Sequence, residues 1–192
     1  LETSLSSSCV SGGAAARTGL AGDFDAIVDA FGRIEHIGFG PVTRDSRLER
    51  LYFWPDRRDL GARQIARALE TRDADVTSRE KLAVKSVALQ GLGALEIVLF
   101  GDGGPLGAKP GDVAHRCAYA VAIASNIAAI ARETAAEWSE AGFGGAWLAP
   151  GSGSSPYLSA RETTVELLKA FDRGVERTRD QRIAGPLGLN AR

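Results

Sequence analysis

The chain has 192 residues, 44% of them hydrophobic, which is enough to bury one full core. Its 23 basic and 24 acidic side chains leave a formal net charge of −1 with the two signs interspersed, which excludes the strong positive field of a nucleic-acid-binding domain. No apolar stretch reaches the roughly 18 to 20 uninterrupted residues of a membrane span; the longest, Val87 to Phe100, contains Gln90 and Glu96.

From Phe24 the residues Phe24, Ile27, Val28, Phe31, Ile34 and Ile37 follow the i, i+3, i+4, i+7 spacing of a helix with one buried stripe, ending near Gly38. Gly38, Gly40 and Pro41 then open an irregular, packed connection to Arg58 that includes Tyr52, Phe53 and Trp54. Asp59 is placed to cap a short helix carrying Leu60, Ile65 and Leu69. Thr77 and Glu80 have capping-box spacing, so a longer helix is expected from there to Gly101, apolar nearly all round from Val87 and therefore central. A glycine- and proline-rich loop, Asp102 to Gly111, precedes an alanine-rich helix capped by Asp112 and running to about Glu140. The loop Gly142 to Pro156 is expected to be pinned by Phe143 and Trp147. A last helix opens at the Ser159 and Glu162 capping box, carries the stripe Val165, Leu168, Phe171 and Val175, and runs to about Ile183, before Gly185 and Pro186. With no period-2 alternation and short loops, the expected fold is all-α: a single domain, 1–192, forming an up-and-down antiparallel helical bundle of four long helices plus short ones.

The chain contains no methionine, whereas a translated reading frame begins with one, so a mature or trimmed fragment is expected, with any export signal already removed. Two cysteines, Cys9 and Cys117, lack the local spacing of a metal site. Buried free thiols and a single bridge, closing a loop of roughly a hundred residues, stand as alternatives.

Glu96 is the one charge between Lys85 and Asp102, on a helix that otherwise wants burial; it must reach water, hold a proton, or face a cation. Gly91 and Gly93 on the same stretch each cost a helix about 1 kcal/mol, which points to a close backbone approach or a kink. Glu35 with His36 ends the first amphipathic helix, and Glu35 with Glu96 is the candidate carboxylate pair for a divalent metal. Spacing alone favours a solvated helix-end charge for Glu35. The arginines Arg44, Arg47, Arg50, Arg57, Arg58 and Arg63, interleaved with Trp54, suit buried ion pairs first and an anionic ligand second, and Lys85 and Gln90 extend either network. No GxSxG, HExxH or CxxC occurs, and with His36 and His115 as the only histidines a histidine-rich zinc site is excluded. His115 is expected to be solvated on the first turn of its helix.

The succession IEHIGFGPV (Ile34 to Val42), SRLERLYFWPDRRDLGARQI (Ser46 to Ile65), LAVKSVALQGLGALEIVLFG (Leu82 to Gly101) and HRCAYAVAIASNIAAIARE (His115 to Glu133) resembles the imelysin family over nearly the whole chain. The resemblance implies an exported bacterial protein, periplasmic or held at the outer membrane by an amino-terminal lipid, built of two helical halves of which this is the first, and linked to iron uptake. It implies a metal or small-molecule ligand, iron or another divalent metal among them, and no nucleic acid. The family's GxHxxE motif falls on Gly91-Leu92-Gly93-Ala94-Leu95-Glu96, with Gly93 where the motif has histidine; this removes the best metal ligand and counts against both iron binding and peptidase chemistry, with a metallopeptidase-like domain and a structural or interaction domain whose site is lost as the alternatives. Glu35, Arg47, Trp54, Asp56, Gln90, Gly91, Gly93 and Glu96 form the candidate ligand-binding set, with Glu35 and Glu96 as metal ligands and no catalytic residue assigned. The resemblance also implies a Cys9–Cys117 disulfide.

Overall fold

The computed structural model describes residues 2–11, 13–56, 58–101, 111–153, 155–185 and 187–189. In chain order the helices are α1 (Glu2–Ser11), α2 (Gly13–Gly32), α3 (Arg47–Leu51), α4 (Leu60–Glu70), α5 (Arg79–Ala83), α6 (Gly91–Phe100), α7 (Val113–Glu137), α8 (Phe143–Leu148) and α9 (Ala160–Arg177). Short 3-10 turns lie at Gly40–Ser46, Ala74–Thr77 and Val87–Leu89, and a π-helix at Thr178–Ala184 continues α9. No strand occurs among the described residues, and the fold is an all-α helical bundle as the periodicity predicts. Packing groups the chain into two compact units, Leu1–Asp29 with Ser46–Arg132, and Ala30–Asp45 with Glu133–Arg192.

The first unit is built around α6 and α7. Leu92, Leu95, Val98 and Leu99 of α6 are buried, as are Tyr119, Ile123, Ile127 and Ile130 of α7; Leu5, Leu20, Ile65 and Leu82 complete the core. Ala120, Ala122 and Ala124 are buried too, and such small side chains let neighbouring backbones approach closely. Phe24 meets Phe100 edge to face, with centroids 5.4 Å apart. Cys9 and Cys117 form a disulfide across 108 residues, joining α1 to α7. By length and apolar content α7 passes the test for a membrane span, but half of its apolar window is buried within the protein and Asn126 is 1% exposed, as in the core helix of a globular fold.

The central helix expected from Thr77 to Gly101 is three pieces. Ser78, not Thr77, caps α5: its Oγ accepts from the Lys81 amide and donates to Glu80, while Thr77 Oγ1 turns back to the Ala74 carbonyl. Ser86 Oγ accepts from the Ala88 amide and starts a separate 3-10 turn, and Gln90 is extended (φ −135°, ψ 174°) before Gly91 starts α6. Helix α4 is capped by Asp56 rather than Asp59. The Asp56 carboxylate accepts from the Leu60 amide at 2.8 Å and the Gly61 amide at 2.7 Å, whereas Asp59 sits at φ 50° with no capping bond. Desolvation raises the Asp56 pKa, but these amides and that of Arg58, with Arg63 nearby, outweigh it and hold the carboxyl below its ordinary value.

Helix α2 begins well before Phe24 and ends at Gly32, short of Gly38, so Ile34 lies outside it and is 52% exposed. In the second unit five aromatics, Phe39, Trp138, Phe143, Trp147 and Tyr157, pack together. Phe39 stacks on Trp147 at 4.8 Å, and Phe143 meets Trp138 edge-on at 4.8 Å. Much of the expected loop from Gly142 is therefore the short helix α8, pinned by its aromatics. The last helix runs where expected, but its apolar stripe is not buried: Leu168 is 62% and Phe171 68% exposed, and the inward positions are Thr163 and Ala170. Glu162 does reach back at its start, to the Leu158 amide rather than to Ser159. The loop residues 102–110, together with Arg57 and Pro186, lie outside the described residues.

Candidate functional site

Residues Gly91 to Glu96 make up the first half of α6, in the first unit. Gly91 has φ 80°, and a β-carbon there would lie 2.5 Å from the Arg50 carbonyl oxygen and 2.6 Å from that of Leu51. The helix thus starts in direct backbone contact with α3, which only glycine permits.

Directly before it, Gln90 is 1% exposed and fully engaged. Its Nε2 donates to the carbonyl of Lys85 at 3.0 Å, just after the break that ends α5, and to that of Leu82 at 3.3 Å, which also accepts from the Lys85 amide. Its Oε1 accepts from Asn126 Nδ2 at 2.7 Å and Arg50 Nε at 3.3 Å, and Arg50 Nη2 donates to Asn126 Oδ1 at 3.3 Å. Tyr119 Oη donates to the Leu89 carbonyl at 2.7 Å, and burial pushes that phenol far above its ordinary pKa, so it stays a donor at physiological pH. This network fixes the entry to the motif helix. Replacing Gln90 by leucine leaves Asn126, Arg50 and the Lys85 carbonyl short of partners and is expected to cost about 2–3 kcal/mol in urea unfolding. Adding Asn126→Leu is expected to cost less than the sum of the two single changes, because the partners are shared.

Gly93 and Glu96, three residues apart, lie on one face of α6. Around Gly93 there is no atom within 4 Å of a built β-carbon, so the position has room for a side chain. Glu96 is exposed, which meets its need for water, and no hydrogen bond or ion pair reaches it among the described residues. Arg47 is 6% exposed, and Trp54 is 52% exposed, stacked on Tyr52 after Asp56 has been committed to capping. Lys85 pairs with Asp73 at 3.0 Å and Asp75 at 3.4 Å, away from Glu96.

Glu35 belongs to the second unit, where Arg182 Nη2 donates to its Oε2 at 2.6 Å. The arginine that neutralises it is thus in the π-helix and not in the cluster from Arg44 to Arg63; Arg44 itself pairs with Glu137. His36 packs against Gly174, where a β-carbon would lie 2.9 Å from its own. Among the described residues no three His, Cys, Asp or Glu side chains are grouped to hold a metal ion. With glycine at 93, the motif offers Glu96 as its one donor, so these residues do not fit a bare metal ion.

Sequence spacing did not single out Arg67. It stands one turn after Arg63 on the exposed side of α4, and neither guanidinium has a hydrogen-bond or ion-pair partner among the described residues. The i, i+4 spacing of the two arginines was the available signal.

The family model described as Imelysin matches residues 1–192. No curated protein and no solved structure matches the chain.

Proposed function

Because the chain belongs to the imelysin family, we propose that it serves bacterial iron uptake as a binding protein without peptidase activity, taking iron as an anionic chelate and not as the bare ion. The observation that carries this reading is the pair Arg63 and Arg67, two exposed guanidinium groups a helical turn apart on α4 with no hydrogen bond or salt bridge among the described residues, Arg63 having the Asp56 carboxylate nearby, in a chain whose motif has Gly93 in the histidine position. Two planar forks at that spacing suit the carboxylates of a polyanionic chelate. The disulfide fits an extracytoplasmic location. Within that setting we place the protein in the periplasm or at the outer membrane through an amino-terminal lipid.

Calorimetric titration with ferric citrate, ferrous ion and zinc tests the proposal. Ferric citrate is expected to bind the native chain and to lose about tenfold or more in affinity in the double variant Arg63→Ala, Arg67→Ala. The bare ions are expected to bind only after Gly93→His, which places an imidazole three residues before Glu96. Tight binding of a bare ion to the native chain, or chelate binding indifferent to the two arginines, overturns it.

A further inference from the structure

Helix α9 turns Thr163 and Ala170 inward and leaves Val165, Leu167, Leu168, Phe171 and Val175 exposed. With about 3.6 residues per turn, Leu168 and Val175 run along the middle of this outer face, Val165 flanks them on one side and Leu167 and Phe171 on the other. Arg161 continues the middle line at the start of the helix. A contiguous row of large apolar side chains open to water marks a contact surface. It belongs to the second unit, whereas Arg63, Arg67 and Gly93 belong to the first.

The charges along the row decide what covers it. At its amino-terminal end Arg161 is exposed, and no hydrogen bond or ion pair reaches it among the described residues. Toward the other end Asp172 and Glu176 are exposed near Arg179, whose guanidinium is already held by both carboxylate oxygens of Asp180. Lys169, beside the row, is paired with Glu166 at 2.9 Å on the same helix. A face that is positive at one end and negative at the other complements itself when turned end for end. A parallel copy instead sets arginine against arginine and glutamate against glutamate, which is repulsive.

We propose that this face docks on a second copy of the chain, α9 packing antiparallel on the partner's α9 about a two-fold axis beside Leu168. In that register Leu168 meets the partner's Leu168, and Leu167 meets the partner's Phe171. Arg161, seven residues before Leu168, stands opposite the partner's Glu176, eight residues after it. The aliphatic stem of Arg161 lies over the partner's Val175 while its guanidinium reaches the carboxylate. Each contact is made twice, as a two-fold interface requires. Glu162, the like charge nearest the partner's Glu176, is turned back onto the Leu158 amide.

Sedimentation equilibrium of the intact chain from about 1 µM to 500 µM tests this, with circular dichroism and thermal unfolding confirming the fold of each variant. The native chain is expected to dimerise with a dissociation constant of about 100 µM or lower. Leu168→Asp with Phe171→Asp is expected to abolish the dimer and leave helicity unchanged, because both side chains are exposed in the single copy. Arg161→Glu and Glu176→Arg are each expected to raise the dissociation constant about tenfold, since each change acts twice across the axis. Both changes in one chain exchange the charges and keep them opposed, and are expected to restore it to within about threefold of the native value. A chain monomeric at every concentration, association that survives the loss of Leu168 and Phe171, or a charge exchange no tighter than the single changes overturns the proposal.

Discussion

Replacing Gly91 by alanine is expected to destabilise the protein by about 3 kcal/mol or more and to lower the midpoint of urea unfolding accordingly. Two independent costs meet at this residue. The backbone sits at φ 80°, where an L side chain is strained. The added β-carbon would also stand 2.5 Å and 2.6 Å from two carbonyl oxygens, and these belong to the α3 backbone rather than to flexible side-chain ends, so relief requires α3 and α6 to separate. Separation in turn stretches the bonds from Arg50 to Gln90 and Asn126, which already stand at 3.3 Å. Gly93, two residues on, supplies the control: nothing lies within 4 Å of its built β-carbon, and Gly93→Ala is expected to be neutral or to stabilise by up to about 1 kcal/mol. An equal loss from both substitutions would show that helix propensity, and not the contact with α3, governs this segment.

The same contrast shows what the chain discloses before its structure is known. Two glycines near Glu96 read alike in sequence, since both disfavour helix; only the path of a distant segment, α3, makes one a contact point and leaves the other open. Long-range packing of this kind is not written in local spacing. Local apolar patterning, by contrast, is legible, and it does mark α6, apolar nearly all round, as a central buried helix and α7 as an alanine-rich helix. It fails where side chains compete for backbone groups: Ser86 and Gln90 draw off amides and carbonyls and split one expected helix into three, and Asp56, three residues before Asp59, supplies the cap because its carboxylate reaches two amides at once. The stripe of α9 was legible as a pattern but not as burial, because amphipathic spacing states that a helix has an apolar face and not that another element covers it. At the site, Glu96 was recognisable as the anomalous charge, while its freedom depends on where α6 presents it. The role of Arg182 at Glu35 spans 147 residues and had no local signal.

Removing the Cys9–Cys117 bridge, as Cys9→Ser with Cys117→Ser, is expected to cost about 4–5 kcal/mol and to be the largest loss from any pairwise change in the first unit. The bridge spans 108 residues, and the chain-entropy cost of leaving so long a loop open in the unfolded ensemble falls near the upper end of what one disulfide contributes. A loss of this size is comparable to the whole stability of many domains, so the double variant is expected to melt well below the oxidised protein and to populate unfolded molecules at 37 °C. The effect is expected to be local as well as global. Helix α1 is ten residues long, below the length at which an isolated helix holds in water, and besides the bridge its buried side chains among the described residues include Leu5 and Ser8. Hydrogen exchange should therefore show α1 losing protection first on reduction, while α6 and α7, whose apolar side chains are buried in the core, keep theirs until global unfolding. Retained α1 protection in the reduced protein, with a stability change under about 1 kcal/mol, would mean that Leu5 and its neighbours hold the amino-terminal helix without the bridge, and that the disulfide marks the compartment more than it maintains the fold.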